Sequence, residues 1–221
     1  MGKIVLNIPH SSHNGVLEYG WMPDVLPFVE RWTDWHTDYL FNSEDKRVKP
    51  VVFKLSRFVC DVERLIGDEM ESVGQGICYE RFETAERKMS GDLRREVYAM
   101  REVHIETLKS ELEKGCMLID CHSFPADLSD VEICIGYNED WSKPDTGTLK
   151  GVSAIFGEKY RVAYNYPYSN SISPETGFVY GSMMIEVNKS VYMDGLKMDV
   201  ERAGSLKSTI ERVYKYILGK K

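Results

Sequence analysis

Short apolar runs that end in polar turns constrain this chain more than any other feature. Ile4-Val5-Leu6-Asn7-Ile8 runs into Pro9-His10-Ser11-Ser12-His13, and Leu118-Ile119-Asp120-Cys121 runs into His122-Ser123. Runs of this length bounded by turn residues read as buried strands, which places His10 and His122 just past two strand C-terminal ends. Open α/β sheets carry their chemistry at such ends. Two histidines delivered in this way suggest a metal site.

The rest of the chain alternates in the same manner. Besides 3–8 and 116–121, strands are expected at 50–54, 57–62, 131–136, 160–164 and 182–188, where Val, Ile and Phe are prominent. Helical spacing of apolar residues marks about 27–41, 92–114 and 201–218. Strands and helices in this order favour an α/β fold with a mixed, mostly parallel sheet flanked by helices. With 221 residues and 43% hydrophobic content, a single domain over 1–221 can bury a sizeable core without staples. Residues 67–91, with Gly74, Gly76 and Gly91, and residues 138–151, with Pro144, Gly147 and Gly151, read as loops. Loops longer than about 12–15 residues in a compact domain are usually either functional lids or disordered.

Charge narrows the partners. Lys and Arg total 28 against 35 Asp and Glu, a net charge of −7, and no long basic run exists to track a phosphate backbone. Nucleic acid is therefore not expected as a partner. No basic start leads into a long apolar segment, so neither a signal peptide nor a membrane span is expected, and the compartment is read as cytoplasmic. The cysteines agree. Cys60, Cys116, Cys121 and Cys134 lie in or beside apolar runs, Cys78 lies in the Gly-rich loop, and an odd count without close Cys-x-x-Cys spacing fits buried small hydrophobes. Cys121 adjoins His122, but successive strand residues point to opposite faces.

Catalytic zinc takes three protein ligands and leaves one position for water. The five histidines stand at 10, 13, 36, 104 and 122. Trp32-Thr33-Asp34-Trp35-His36 adds a carboxylate, Asp34, that could serve as third ligand. His104 lies mid-helix in Val103-His104-Ile105 and reads as structural. Met183-Met184-Ile185-Glu186-Val187-Asn188 sets a carboxylate in an apolar strand, so Glu186 needs a partner or a raised pKa. A raised pKa suits a base that takes a proton from water; an ion pair with an arginine or lysine is the alternative. Ser56-Arg57 through Asp61-Val62-Glu63-Arg64 supplies two guanidinium forks that suit a carboxylate ligand. The competing reading pairs Arg57 or Arg64 with Asp61 or Glu63.

Taken together, Ile8-Pro9-His10-Ser11-Ser12, Thr33-Asp34-Trp35-His36, Ser56-Arg57 through Arg64, Asp120-Cys121-His122-Ser123, Asn165-Tyr166-Pro167-Tyr168 and Ile185-Glu186-Val187-Asn188 through Tyr192-Met193 resemble the N-formylglutamate amidohydrolase family, in family order from residue 8 to 193. That resemblance implies a zinc-exopeptidase-like, phosphorylase/hydrolase-like fold related to zinc carboxypeptidases and cell-wall amidases. It implies His10, Asp34 and His122 as zinc ligands, with His36 and His13 as rivals for the third place. Glu186 would be the catalytic glutamate, Arg57 and Arg64 would face substrate carboxylates, and Asn165 and Tyr168 would shape the pocket.

The reaction implied is hydrolysis of N-formyl-L-glutamate to formate and L-glutamate, a late step of histidine degradation, on a small acidic N-acyl amino acid by a monomer or small homo-oligomer. The chain departs from the family pattern at three places: Glu63 stands where Asn precedes the second arginine, Ser169-Asn170-Ser171 replaces paired glycines, and Lys189 replaces Arg. Two other readings are kept: a zinc amidase for cell-wall or small peptides, marked by an open groove, and a non-catalytic acidic-ligand binder, marked by a diverted Glu186.

Overall fold

The computed structural model describes residues 2–219. In chain order the elements are β1 (Ile4–Ile8), α1 (Leu26–Trp32), α2 (Thr37–Phe41), β2 (Val48–Val52), the ribbon β3 (Arg81–Phe82) and β4 (Ala85–Glu86), α3 (Gly91–Glu111), β5 (Met117–Phe124), β6 (Ile133–Gly136), α4 (Thr146–Gly157), β7 (Val162–Tyr164), β8 (Gly181–Asn188), the ribbon β9 (Met193–Asp194) and β10 (Lys197–Met198), and α5 (Val200–Gly219). Six strands form one sheet in the order β2-β1-β5-β8-β6-β7. β2, β1, β5 and β8 are mutually parallel; β6 runs antiparallel to β8, with β7 parallel to β6. This is the mixed, mostly parallel α/β sheet expected. Pro50, which cannot donate to a ladder, sits in the edge strand β2.

Alternation of side chains divides the sheet into two chemically distinct faces. Leu6, Ile119, Cys121, Ile185 and Val187 point toward α2, α4 and α5 and join Leu40, Val152, Phe156, Ile210 and Val213 in the main core. The other face begins apolar, where Val5 and Leu118 pack with Leu108 and Leu112 at the end of α3. Two residues further along the same strands it becomes polar: Asn7, Asp120, His122 and Glu186 are all buried.

Four expectations need correction. Residues 57–62 are not a strand: Val59 and Cys60 donate backbone hydrogen bonds to Ser56, forming a turn. Its apolar side chains fill two satellite clusters, Phe58 with Trp21 and Val29, and Val59, Cys60 and Val62 with Ile77 and Val97, so burial rather than pairing explains the run. The helix expected at 27–41 is two short helices with a break at Asp34. β5 continues to Phe124, so His122 lies inside the strand instead of just past it. The region 138–151 contains the start of α4, capped by the Asp145 side chain on Thr148 N. Its helical Gly151 allows close approach of α5, since a Cβ there would lie 2.1 Å from Tyr216 Cζ.

A second tight glycine governs the roof of the polar face. A Cβ on Gly136, at the end of β6, would meet the Asn170 carbonyl oxygen at 2.5 Å and Met184 Cε at 2.6 Å. Gly136→Ala is expected to push the 165–180 segment outward and cost about 1–3 kcal/mol, the usual range for overpacking. Urea denaturation of the two proteins measures it; equal midpoints would show that the segment yields freely.

Candidate active site

Backbone hydrogen bonds bring the first two candidate ligands together. After β1 the chain passes through Pro9 to His10, whose carbonyl accepts from Asp34 N at 2.9 Å. This bond takes Asp34 out of helical pairing. The break is completed by His36 in the left-handed region at φ 63°, by Thr37 Oγ1 donating to Asp34 O at 2.8 Å, and by Tyr192 donating to Trp35 O at 2.8 Å. His122 arrives from β5, and its register partner in β8 is Glu186.

The imidazoles share one arrangement. His10 Nε2 lies 3.0 Å from Asp61 Oδ1, and His122 Nε2 lies 3.1 Å from Asp120 Oδ1 and 3.2 Å from Glu63. Each Nε2–H therefore donates to carboxylate, and each Nδ1 turns toward Asp34 Oδ2, at 3.9 Å from His10 and 3.1 Å from His122. Carboxylates on the far nitrogen orient histidine ligands in metal sites in the same way. His10, Asp34 and His122 have donor atoms within 4.8 Å of one another, all buried. Two further sets, His10 with Asp61 and Glu63, and Glu63 with Asp120 and His122, are equally close; Asp61 and Asp120 stand on the Nε2 side, while Glu63 Oε2 also lies 3.7 Å from His10 Nδ1. His10 Nδ1 is buried without a hydrogen-bond partner, an orphaned donor site that a metal would satisfy. A buried cluster of this composition can hold a divalent metal ion.

Electrostatics in the metal-free cluster follow from crowding of acids. Burial works against a charged His122, but the Glu63 and Asp120 charges override it and hold its pKa well above the ordinary value. His122 Nδ1–H then donates to Asp34, and a metal would displace that proton. Burial lowers the pKa of His10, with Arg57 adding to the effect. Burial alone would raise Asp34, yet its bond to His122 and the neighbouring charges bring it below the usual carboxylate range. Glu63 is pushed well up, by burial and then by Asp120, whereas His122 brings Asp120 down against its own burial.

Glu186 behaves differently from its acidic neighbours. It is 7% exposed, Oε2 has no hydrogen-bond partner, and no cation lies within ion-pair distance among the described residues. Burial pushes its pKa up to about 8. It faces a cleft of about 1140 Å³ that His122, Tyr168, Phe124, Arg57 and Arg64 also line.

The arginines are both in the cleft and already engaged. Arg57 donates to Asp61 Oδ2 at 3.1 Å, while Arg64 Nε is 3.7 Å from Asp61 and Nη1 is 3.8 Å from Asp68. The Nε atoms of both are buried and make no hydrogen bond. Asn165 does not line the cleft. Its Oδ1 accepts from Tyr137 N at 2.9 Å, anchoring the start of the segment that carries Tyr168, because at φ 49° its side chain folds onto β6's exit. The rival ligands lie apart: His13 is exposed and packs tilted against Trp35, and neither His13 nor His36 joins any of the clusters among the described residues. His104 is buried and bonds Asn7, a structural position as expected.

Sequence reasoning missed the supporting shell of Asn7, Asp61, Glu63 and Asp120 around the two histidines. The signal for two of them was present. Asn7 and Asp120 are polar residues inside apolar strand runs, the same anomaly that singled out Glu186.

The N-formylglutamate amidohydrolase family matches the chain over residues 2–193. Among solved structures, N-formylglutamate amidohydrolase from Ralstonia eutropha JMP134 superposes with a TM-score of 0.78 at 17% identity, over 98% of this chain and 95% of that one. A gene product from Agrobacterium tumefaciens gives 0.68 at 19% identity, over 98% and 92%. At such identities the structural likeness speaks for the fold. No curated protein matches the chain in sequence. With the match running through nearly all of the sheet and every residue of the cluster, the chain belongs to the N-formylglutamate amidohydrolase family, hydrolases of C–N amide bonds.

Proposed function

We propose that this amidohydrolase is zinc-dependent and removes the N-acyl group of an acidic amino acid, converting N-formyl-L-glutamate and water to formate and L-glutamate. One observation supports this above the others: an unpartnered, buried Glu186 carboxyl stands at the strand position paired with His122, one of three convergent metal donors. A zinc ion held by His10, Asp34 and His122 would polarise the amide oxygen and the attacking water. Glu186 takes a proton from that water and returns it to the departing amino nitrogen, a role that needs a carboxyl without a competing partner. Arg57 and Arg64, which line the cleft, hold the substrate carboxylates through guanidinium N–H groups, and Tyr168 and Phe124 line the same cleft as Glu186. We read residues 1–221 as one domain of this kind. No helix among the described residues is long and apolar enough to cross a membrane.

The test is metal content of the purified protein together with formate release from N-formylglutamate, before and after chelation and zinc return. Stoichiometric metal with chelator-sensitive release is expected; release untouched by complete metal removal would sink the zinc mechanism. Arg64→Ala is expected to raise KM about 10- to 100-fold with kcat nearly unchanged, the value of one or two charge-assisted hydrogen bonds made equally in ground and transition states. An unchanged KM would return Arg64 to its ion pairs with Asp61 and Asp68.

A second reading, an amidase for small or cell-wall peptides, draws support from the size of the cleft. About 1140 Å³ exceeds what a single N-acyl amino acid fills, and Pro174, Glu175 and, from α3, Glu102 and Glu106 also line it. Comparing kcat/KM for N-formylglutamate and for short N-acyl peptides separates the two.

A further inference from the structure

Asn7 occupies a place that the reaction above does not use. It is fully buried in β1, and its register partner in β5 is Asp120. Its Nδ2 donates to Asp120 Oδ1 and to Glu63 Oε1, both at 2.8 Å, so each amide hydrogen has one carboxyl oxygen. Those two acids flank His122 Nε2. On the other side His104 Nε2 lies 2.8 Å from Asn7 Oδ1. A neutral His104 must carry its proton on that nitrogen to make the bond, which leaves the carboxamide one orientation: turned over, its oxygen would face two carboxyl groups and its NH2 a ring N–H. The relay runs from α3 through β1 to β5, with each donor and acceptor in it assigned.

We propose that Asn7 is a positioning residue for the metal ligand His122: it clamps Asp120 and Glu63 against Nε2, so that the ring presents the Nδ1 lone pair to the metal. The inference rests on the reading of His122 as a ligand. His122 Nε2 has a single hydrogen facing both acids, and Asn7 is the donor that spans them, its two N–H groups reaching one oxygen of each. His104 acts one step further back, by fixing the face that Asn7 shows.

The experiment compares zinc affinity of the full-length wild type, Asn7→Leu, His104→Phe and His104→Gln, by competition with a chromophoric chelator, with thermal unfolding as a check on folding. Asn7→Leu keeps the branched side-chain outline and removes both donors; a weakening of about 10- to 100-fold is expected, the range for outer groups that orient metal-bound histidines. Nitrogen NMR of the zinc-loaded protein should show His122 protonated only at Nε2 in the wild type and lose that signature in the variant. His104→Phe should weaken zinc in the same direction, and His104→Gln, which can still donate to Asn7, should restore it; these carry the test should Asn7→Leu fail to fold. Wild-type affinity in folded Asn7→Leu, or equal affinity in the two His104 variants, would overturn the proposal. A wild type that binds no zinc would instead overturn the ligand reading itself, and Asn7's role with it.

Discussion

Glu186→Gln is expected to retain the metal and lose turnover, with kcat reduced about 10²- to 10⁴-fold, the usual worth of a positioned general base. Glutamine has the same shape and can sit on the same strand position opposite His122. It cannot take a proton from water, nor pass one to a leaving amine. The ligands His10, Asp34 and His122 are untouched, so zinc stoichiometry should stay at the wild-type value. Parallel measurement of kcat and bound metal decides the matter: a variant with full metal and kcat within tenfold of wild type would remove Glu186 from the proton-transfer role.

The same substitution has an opposite effect on stability, with a sign fixed by linkage. Burial raises the folded-state pKa of Glu186 to about 8 from an ordinary value of 4.5. A carboxyl raised in this way favours folding while it is protonated, and that contribution is lost as pH climbs from the unfolded value through the folded one. The metal-free wild type should therefore lose stability between about pH 5 and pH 9 relative to Glu186→Gln, by a few kcal/mol at the alkaline end. Metal binding brings positive charge beside the carboxyl and should shrink the gap. Thermal melts of both metal-free proteins across this range test it; parallel curves would mean that Glu186 ionises without penalty.

How much of this could be read in advance depended on whether a signal was local. The apolar runs of β1, β5 and β8 announce themselves because a buried strand in a covered sheet is apolar on both faces. The polar residues Asn7, Asp120, His122 and Glu186 within them face one side. Asp34 was found through its motif, although the helix around it was expected to be continuous; the break comes from a bond to the His10 carbonyl that no local pattern encodes. The stretch 57–62 has the composition of a strand, but its apolar residues serve two clusters formed with α1, α3 and the 77–85 region. α4 was hidden by Gly147 and Gly151; Gly151 serves close contact with Tyr216 and not a turn, and the Gly147 carbonyl accepts from the Tyr216 hydroxyl. Asp61 was recognised as a partner for arginine, which it is, but its second partner, His10, is 51 residues away. Pairing of that kind exists only once the sheet has assembled.

His122→Ala should have the broadest consequences, because this one ring serves the metal, the acids and the catalytic carboxyl together. Loss of its Nδ1 removes one of three ligands, and both zinc binding and turnover should disappear. Stability of the metal-free protein should fall as well. In that state His122 is the cation among Asp34, Glu63 and Asp120, and stripping a buried group of its partner costs about 3–5 kcal/mol. For a chain of this size that lowers Tm by on the order of 10 °C. Since the folded-state pKa of His122 lies well above 6.5, the stabilisation is complete below that value and fades only as pH rises through the raised one. The difference between the variants should thus be large at pH 6 and narrow in alkaline solution, the opposite of the course expected for Glu186→Gln. Zinc should raise the wild-type Tm by mass action and leave that of His122→Ala where it was. Equal zinc-induced shifts in the two proteins would mean that the metal sits elsewhere, whereas a missing shift with opposite pH trends at His122 and Glu186 assigns ligand and base to adjacent strands of one sheet face.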